Sequence, residues 1–431
     1  MTLDHEVIIV GAGPAGASVA ARLAQRGLAG RSVVLERYHF PRDKPCGGGL
    51  TGHVDEAMAE LDLELTVPCW PAADARVRFG SFQRTVRMER PVHIVRREEF
   101  DASLVDQVRR RGVEVIEGEG VRSLDVDADG VTVHTSRGRR LRCAVLVGAD
   151  GAASVARKHL LGGEKALPHR LFKMEFAIPT DRPVDPAMLY DFTPMARGLR
   201  GYLWVFPLPA LAPGPPTGPE NPAGKGPGEV SPDRRETGYQ VNVGIMHYPA
   251  YRKSGIELID VLRGGLGELG LTLPEKGTRG WPAWGYHPGA PIAGPRVVTV
   301  GDAAGIDGLT GEGISVAMEH AVVAGDAVDR ALRTGDMSFA SYRRDIRRAV
   351  VGRELALDRW LSRLLYGSGG AGWMRWMSLV LFDPDVLEMY AARVSGSQIL
   401  ADQKLRLYRA LLRHLRHMRR RDRELRQAMA G

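Results

Sequence analysis

The chain has 431 residues, of which 44% are hydrophobic and 26% are charged, and its formal net charge is +8. This composition is typical of a soluble enzyme with a substantial core. No run of about 18 uncharged apolar residues occurs, which excludes a spanning helix; no secretory segment precedes the first strand, so we expect a cytoplasmic setting. Cys46, Cys69 and Cys143 lack metal-like spacing and are too few for a cysteine-ligated iron-sulfur cluster. We therefore expect no metal site.

The first predicted element is an apolar strand that runs into a Gly-x-Gly-x-x-Gly motif and an Ala-rich helix. Gly11 permits a tight turn, Gly13 lets the backbone approach a pyrophosphate, and Gly16 lets helix and strand pack closely. A second strand, Ser32 to Leu35, ends in Glu36, where a carboxylate suits a ribose hydroxyl and argues against a 2′-phosphate. Together these elements predict a dinucleotide-binding unit with the phosphates at the helix N-terminus.

Two later strands end in Gly/Asp turns, one at Asp150-Gly151 and the other at Gly301-Asp302. A carboxylate at the end of a buried strand suits a ribityl or ribose hydroxyl, although either turn alone is also an ordinary strand-turn-helix. The pair resembles motifs of the aromatic-hydroxylase (glutathione-reductase-like) flavoprotein superfamily. That resemblance implies FAD rather than NAD, and it places Arg97, which alone would pass as a surface charge, near the cofactor.

Two further segments resemble the geranylgeranyl reductase family, which saturates carbon-carbon double bonds in prenyl chains. Residues 44–50 read Lys-Pro-Cys-Gly-Gly-Gly-Leu and match the family's Cys-Gly-Gly-Gly pattern, and residues 201–207 match its Tyr-x-Trp-x-Phe-Pro pattern. The resemblance covers residues 5 to 335 approximately. Flavin-dependent halogenases carry a similar Trp-x-Trp-x-Ile-Pro pattern. This chain differs from it at two positions, with Tyr202 in place of the first Trp and Phe206 in place of the Ile.

The run after Asp302 departs from the hydroxylases. Those enzymes usually read Gly-Asp-Ala-Ala-His followed by a Pro, whereas this chain has Gly305 and Leu309. The run is still predicted to open a helix, Ser315 to Ala331, whose N-terminal amides can stabilise negative charge on a reduced flavin.

We predict an α/β (α+β mixed) fold in which a Rossmann-like FAD-binding domain of glutathione-reductase/aromatic-hydroxylase type carries an inserted antiparallel-sheet substrate domain and a helical C-terminus. The FAD domain is expected to combine residues 1–75, 92–165 and 288–335. The substrate domain is expected to combine residues 76–91 and 166–287, with a flexible Pro/Gly-rich loop at 208–237, and residues 336–431 form the basic helical region.

The resemblance implies a set of cofactor contacts, namely Gly11, Gly13, Ala15, Gly16, Glu36, Arg37, Cys46, Gly47, Gly48, Arg97, Asp150, Gly151, Gly301, Asp302, Gly311, Gly313 and Ile314. Cys46, Tyr202 and Trp204 are the predicted catalytic residues. The predicted substrate-lining residues are Gly49, Tyr202, Trp204, Phe206, Trp281 and Trp284. Strand alternation places Tyr202, Trp204 and Phe206 on one face, which walls an apolar tunnel or is ordinary core packing.

The expected reaction is hydride transfer from N5 of a reduced flavin to one alkene carbon, with a proton supplied to the other. Cys46 has a reference pKa near 8.5, so its thiol either donates that proton or only shapes the site. The external electron donor, NAD(P)H or ferredoxin, stays open, as does the substrate headgroup: a diphosphate, a phospholipid glycerol or a quinone. The alternatives are an FAD monooxygenase or halogenase acting on an aromatic metabolite, and a noncatalytic isoprenoid carrier that retains FAD.

The C-terminal segment 404–426 holds ten Lys or Arg and two acidic residues, which accounts for the whole net charge. Apolar side chains recur there at helical spacing, at Leu405, Tyr408, Leu412, Leu415 and Met418. With the Trp-rich stretch from Trp360 to Leu379, this segment predicts either peripheral contact with the inner face of the cell membrane or a solvated helix over a hydrophobic cap. No recognition motif supports nucleic-acid binding, and the oligomeric state stays open.

Overall fold

The computed structural model describes residues 2–162, 170–180, 184–209, 239–248, 257–274, 279–306, 309, 311–367 and 372–430. The predicted loop at 208–237 lies outside the described residues from residue 210 onward.

The described strands are β1 (His5–Val10), β2 (Ser32–Leu35), β3 (Gly49–Leu50), β4 (Cys69–Phe79), β5 (Phe82–Val95), β6 (Glu114–Ile116), β7 (Val121–Val126), β8 (Val131–Thr135), β9 (Arg140–Gly148), β10 (Arg170–Thr180), β11 (Met188–Asp191), β12 (Leu203–Pro207), β13 (Tyr239–His247), β14 (Arg279–Trp284), β15 (Ala293–Gly294) and β16 (Val297–Thr299). The described helices are α1 (Pro14–Gln25), α2 (Gly52–Glu60), α3 (Arg97–Arg110), α4 (Val155–Leu160), α5 (Leu258–Glu268), α6 (Gly313–Thr334), α7 (Tyr342–Arg348), α8 (Val350–Gly367), α9 (Gly372–Phe382), α10 (Pro384–Val394) and α11 (Lys404–Ala430).

The first sheet has the order β15-β16-β9-β1-β2-β6, with the β7–β8 hairpin attached to β9. Its central strands β16, β9, β1, β2 and β6 are parallel. They are short runs of Val, Ile and Leu because α1 and α6 cover one face and the hairpin and α4 cover the other, so that Val7 and Ile8 are both fully buried. This arrangement confirms the predicted Rossmann-like domain.

The second sheet has the order β14-β10-β13-β12-β11-β4-β5-β3 and is antiparallel except where β11 pairs with β4. The long hairpin of β4 and β5 belongs to it in full, so β4 crosses residue 76, where the sequence places a domain boundary. The register of β12 and β13 sets Trp204 opposite Gly244 and Phe206 opposite Asn242. The predicted mixed fold with a second, largely antiparallel sheet is therefore present.

Helices α8 to α11 pack over the second sheet and confirm the helical C-terminus. Trp373 packs on Phe79 with ring centroids 6.0 Å apart, and Phe382 packs on Phe82 at 4.7 Å. Of the Trp-rich stretch, Trp373 is therefore a core residue, whereas Trp360 is 47% exposed. Among the helices that the structure describes, none combines the length and the apolar character that crossing a membrane requires.

Helix α6 is longer than the sequence predicts. It begins at Gly313 rather than Ser315 and continues past Ala331 to Thr334. Gly335 ends it by adopting a positive φ of 75°, a left-handed conformation that favours glycine. Helix α6 therefore begins at the second of the two glycines that flank Glu312, Gly311 and Gly313.

Candidate functional site

A cavity of about 200 Å³ lies at the carboxyl ends of β1, β2 and β9. This is the edge at which open α/β sheets bind ligands. The predicted cofactor residues that line it are Gly11, Gly13, Ala15, Glu36, Arg37, Cys46, Arg97, Asp150, Gly151, Asp302, Gly311, Gly313 and Ile314. We call it the flavin cavity.

The glycines at the mouth of this cavity form a cradle that a side chain would fill. Gly11 has a φ of +95°, and a Cβ there would lie 2.5 Å from the Ala149 carbonyl oxygen. A Cβ on Gly16 would lie 1.8 Å from the Gly11 carbonyl oxygen, so helix α1 can pack this closely only without one. Gly13 presents its backbone to the cavity at the start of α1, where free N–H groups favour an anion.

Two buried carboxylates face the cradle. Glu36 accepts hydrogen bonds from the backbone N–H groups of Ala12 at 2.8 Å and Tyr38 at 3.1 Å, which fixes the turn. Asp150 accepts from the N–H of Val155 through Oδ2 at 2.7 Å, while its buried Oδ1 has no hydrogen-bond partner among the described residues. Burial raises the pKa of Asp150. An unsatisfied buried acceptor beside a phosphate cradle fits a hydroxyl-bearing dinucleotide such as FAD.

Basic groups surround Cys46 at the other end of the flavin cavity. Arg97 binds Asp101 through two hydrogen bonds of 2.8 Å. Burial opposes its charge, but Asp101 and then Cys46, whose thiol contacts the guanidinium, raise the pKa of Arg97. Lys44 is half-buried with Nζ 4.2 Å from the ring centroid of Trp281, and desolvation lowers its pKa to about 8. This end of the cavity therefore suits negative charge, as on a reduced flavin.

The aromatic side chains of β12 hold the loop that carries Cys46. The indole Nε1 of Trp204 donates to Oδ1 of Asn242 at 2.7 Å, and Nδ2 of Asn242 donates to the Cys46 carbonyl oxygen at 3.1 Å. The ring of Phe206 lies against Gly47, where a Cβ would come within 2.9 Å of it. In this structure Trp204 and Phe206 therefore position the Cys46 loop.

A second cavity, of about 140 Å³, lies between the second sheet and helices α8 to α11. Its lining is aliphatic and aromatic, and none of the described residues in it carries a charged side chain. Residues of β4, β5 and β11 form one wall, among them Val77, Met88 and Tyr190, and Leu365 and Tyr390 belong to the opposite wall. We call it the apolar cavity.

The two cavities are lined by residues that lie close together in the chain just before α6. Leu309 lines the apolar cavity, whereas Gly311 and Gly313 line the flavin cavity. The aromatic residues connect the same two places, because Tyr202 lines the apolar cavity and its ring centroid lies 6.2 Å from that of Trp204. Leu309 and Tyr202 therefore place the apolar cavity close to the flavin cavity.

The remaining predicted residues have packing roles in the structure. Gly16, Gly47, Gly48 and Gly301 support the lining without belonging to it; a Cβ on Gly48 would lie 2.2 Å from the Val95 carbonyl oxygen. Gly49 pairs with Ile94 in the second sheet.

The two tryptophans of β14, Trp281 and Trp284, lie in different surroundings. Trp281 lines the flavin cavity. Trp284 lies outside the lining of both cavities: its Nε1 donates to the Ala152 carbonyl oxygen at 2.6 Å, and Arg157 stacks 4.5 Å from its ring centroid.

Sequence reasoning missed several polar residues at the site. Lys44 and Arg42 lie two and four residues before Cys46, the first residue of the Cys-Gly-Gly-Gly pattern, and their position near this motif was the available signal. Tyr190, Tyr390 and Glu312 converge at the junction of the cavities from distant parts of the chain, and no local spacing indicates that.

Comparison with known proteins agrees with this geometry. The sequence matches the family described as FAD binding domain over residues 4–220. It is 30% identical to the menaquinone reductase of Mycobacterium tuberculosis, over 76% of this chain and 78% of that protein. It is 28% identical to the digeranylgeranylglycerophospholipid reductase 2 of Methanothermobacter thermautotrophicus, over 85% of this chain and 89% of that protein. The resemblance to geranylgeranyl reductases is thereby confirmed.

Solved structures show the same fold. The geranylgeranyl bacteriochlorophyll reductase-like protein from Thermoplasma acidophilum has a TM-score of 0.67 at 19% identity, covering 98% of this chain and 99% of that one. The halogenase PltM has a TM-score of 0.65 at 16% identity, covering 97% and 85%. At these identities the likeness extends to the fold and does not choose between the two chemistries.

Proposed function

The chain belongs to the FAD-binding domain family of flavoproteins, and from that premise we propose that it is a reductase that saturates carbon-carbon double bonds in a prenyl chain. The flavin cavity supplies the cofactor site of an FAD-dependent oxidoreductase. The observation that carries the finer proposal is the apolar cavity close to it, whose lining contains no charged side chain among the residues that the structure describes. A hydrocarbon segment suits such a lining best, because burying it requires no polar group to give up its hydrogen bonds to water.

The size of the apolar cavity favours binding of a short segment at a time. Its volume of about 140 Å³ is close to that of a ~150 Å³ engineered protein cavity that takes up benzene. One isoprene unit has five carbons and benzene has six, so roughly one unit fills this space. The rest of a longer chain and its headgroup then lie outside it.

The residues of the chain have distinct tasks in this proposal. FAD, when bound and reduced, supplies the hydride. The cradle at Gly13 and the start of α1 binds its phosphates, and Asp150 orients it through a hydroxyl. Lys44 and Arg97 stabilise negative charge beside Cys46. The aromatic side chains of β12 and its neighbours exclude water from the place where the cavities meet.

The test compares three headgroups. The purified protein, chemically reduced without oxygen, is incubated with geranylgeranyl diphosphate, an unsaturated archaeal-type ether lipid and menaquinone, and products are analysed by mass spectrometry. We expect products that gain multiples of two hydrogens from at least one substrate, which identifies the headgroup class. Two of the relatives are named for menaquinone and for digeranylgeranylglycerophospholipid, which supports a lipid headgroup.

The alternative function is an FAD monooxygenase or halogenase acting on an aromatic metabolite. It is supported by the fold shared with PltM and by the ring-rich wall of Tyr190, Phe192 and Tyr202 in the apolar cavity. Oxygen-dependent reoxidation of the flavin that an aromatic compound couples to hydroxylation or chlorination, with no hydrogen gain on any prenyl chain, would establish it instead.

Peripheral membrane contact is the second part of the proposal, and the exposed face of α11 supports it. Four large apolar side chains project from this face into solvent, Leu405, Tyr408, Leu412 and Leu415. Arg409, Arg416 and Arg419 are exposed on the same face. Each basic residue near an anionic leaflet contributes about 1 kcal/mol, which complements the insertion of the apolar side chains.

Vesicle sedimentation tests this contact. We expect binding to phosphatidylcholine vesicles that contain phosphatidylserine, with at least a tenfold loss of affinity in Leu412→Glu and in the double variant Arg416→Glu, Arg419→Glu. Leu3→Glu changes another exposed leucine at a remote position and serves as the control. Equal binding by all variants, or no binding to anionic vesicles, would contradict the proposal.

A further inference from the structure

A tyrosine hydroxyl connects the apolar cavity to a carboxyl group beside the flavin cavity. Glu312 lies between the two flavin-cavity glycines Gly311 and Gly313, and its side chain is 9% exposed. Tyr390, on α10, belongs to the lining of the apolar cavity, and its hydroxyl bonds to Oε1 of Glu312 at 2.9 Å. The pair therefore spans the junction of the two cavities.

Glu312 belongs to a buried cluster of carboxyl groups around one arginine. Arg393 is 2% exposed and binds both oxygens of Asp358, at 2.5 and 2.8 Å. Its Nε lies 3.0 Å from Oε2 of Glu354 and 3.8 Å from Oε2 of Glu312. Three carboxyl groups thus share one guanidinium in a place from which water is largely excluded.

A buried excess of carboxyl groups keeps protons bound near neutral pH, because uncompensated negative charge is costly there. Burial raises the pKa of Asp358 to about 6 and also raises the pKa of Glu354. Glu319 lies on α6, seven residues after Glu312, the residue that immediately precedes this helix. Burial, opposed by Arg393 and assisted by Glu312 and Glu354, raises the pKa of Glu319 to about 8.

The cluster is connected to solvent through His53. Its Nδ1 lies 3.6 Å from Oε1 of Glu319 and 3.9 Å from Oε2 of Glu56, whose side chain is 57% exposed. His53 and Glu319 therefore lie between the exposed Glu56 and the carboxyl cluster, whose charges act on Glu319. Such a route can replace a proton that the interior gives up.

Cys46 is less suited to give a proton to the substrate. Its thiol contacts the guanidinium of Arg97 in the flavin cavity, and Cys46 does not belong to the lining of the apolar cavity. Tyr390 instead lines the apolar cavity and carries a hydroxyl that is hydrogen-bonded to Oε1 of Glu312.

From these contacts we propose that Tyr390 is the proton donor of the reduction and that Glu312 restores its proton, an inference that rests on the proposed function. The O–H bond of Tyr390 breaks, and the π electrons of the alkene form a C–H bond at one carbon. The other carbon takes the hydride from the reduced flavin, which is oxidised. The Glu312 carboxyl then returns a proton to the phenolate, and Glu319 and His53 relay its replacement from solvent.

The first test is Tyr390→Phe in the FAD-loaded protein. We expect prenyl reduction to fall at least ~100-fold, the lower end of what general acids contribute. The visible spectrum of bound FAD, and the affinity for a fully saturated prenyl lipid followed by tryptophan fluorescence, should stay unchanged. Tyr342→Phe removes another buried hydroxyl, one that lines neither cavity, and should keep the wild-type rate.

The second test is Glu312→Gln, which keeps a polar acceptor for Tyr390 but cannot pass on a proton. Rapid quenching should show one equivalent of product formed at the wild-type rate, followed by turnovers that are at least tenfold slower. A residue that only holds the structure together would slow the first turnover as well.

These outcomes separate the inference from the proposed function. If wild-type protein reduces a prenyl chain and Tyr390→Phe does so within threefold of its rate, the proton donor is another group and the inference is wrong. A Glu312→Gln variant without the initial burst would likewise overturn the relay. If wild-type protein reduces no prenyl chain, the proposed function fails first and the inference fails with it.

Discussion

The flavin cavity and the apolar cavity are built in different ways. The flavin cavity uses backbone at the carboxyl ends of parallel strands, where Gly11 and Gly16 allow contacts that any Cβ would prevent. The apolar cavity uses side chains spread from Ala75 to Leu407, supplied by one sheet and four helices. Backbone approach requires particular residues at fixed spacing, whereas an apolar wall requires only volume. The first cavity is therefore intolerant of substitution and the second is adaptable.

The largest expected effect tests the intolerance of the flavin cavity. Gly16→Ala places a Cβ 1.8 Å from the Gly11 carbonyl oxygen, so helix α1 must move. We expect a loss of more than about 4 kcal/mol in unfolding free energy and no FAD in the purified protein. Gly30→Ala, where nothing lies within 4 Å of the added Cβ, is the matched control. Normal FAD content in Gly16→Ala would show that the cradle is adaptable too.

The next effect concerns the carboxyl cluster at the junction. Arg393→Met leaves the carboxyl groups of Asp358, Glu354 and Glu312 without their shared cation. Breaking a buried ion pair in this way costs about 3–5 kcal/mol, measured by urea unfolding. Arg344→Met, on an exposed position of α7, should change stability by less than about 0.5 kcal/mol. Equal losses of stability in both variants would show that Arg393 does not stabilise the carboxyl cluster.

A smaller effect is the pH dependence that Glu319 adds. Its pKa of about 8 lies above the ~4.3 of an unfolded glutamate, so between these values the folded state holds a proton that the unfolded state has released. Stability therefore falls as pH rises through this window. Glu319→Gln should remove about 1–3 kcal/mol of the loss between pH 5 and pH 8, followed by urea unfolding across that range. An unchanged pH profile would mean that Glu319 is ionised at neutral pH.

The smallest effect concerns the link between the cavities. Trp204→Phe keeps the ring but loses the hydrogen bond to Asn242 that holds the Cys46 loop. We expect about 1 kcal/mol of lost stability and a several-fold weaker affinity for FAD by titration. Trp360→Phe, at an exposed position, is the control. An unaltered FAD affinity would separate Trp204 from the flavin cavity.

The flavin cavity could be predicted from the sequence because its requirements are local. Gly11, Gly13 and Glu36 follow from strand, turn and helix in one short unit, and Asp150 and Asp302 follow from strands that must end at the same edge. The predicted identity of the cofactor depended on a resemblance, since spacing alone does not distinguish FAD from NAD.

The junction could not be predicted, because its contacts join residues far apart in the chain. Tyr390 and Glu312 are 78 positions apart and meet only after α10 packs near the start of α6. Burial is equally invisible in the sequence: Trp360 and Trp373 belong to the same Trp-rich stretch, yet one is exposed and the other is in the core. An aromatic at helical spacing fits either environment.

The measurement that tests the central claim most directly is anaerobic reoxidation of the reduced flavin by a prenyl substrate, in wild type and in Ala391→Phe. Ala391 lines the apolar cavity and not the flavin cavity, so we expect a phenyl ring at this position to reduce the space in the apolar cavity alone. We predict that wild type yields one oxidised flavin for each product with two added hydrogens, whereas Ala391→Phe retains FAD but reacts at least tenfold more slowly. Equal rates in the two proteins, or reoxidation that occurs only with oxygen, would contradict the account.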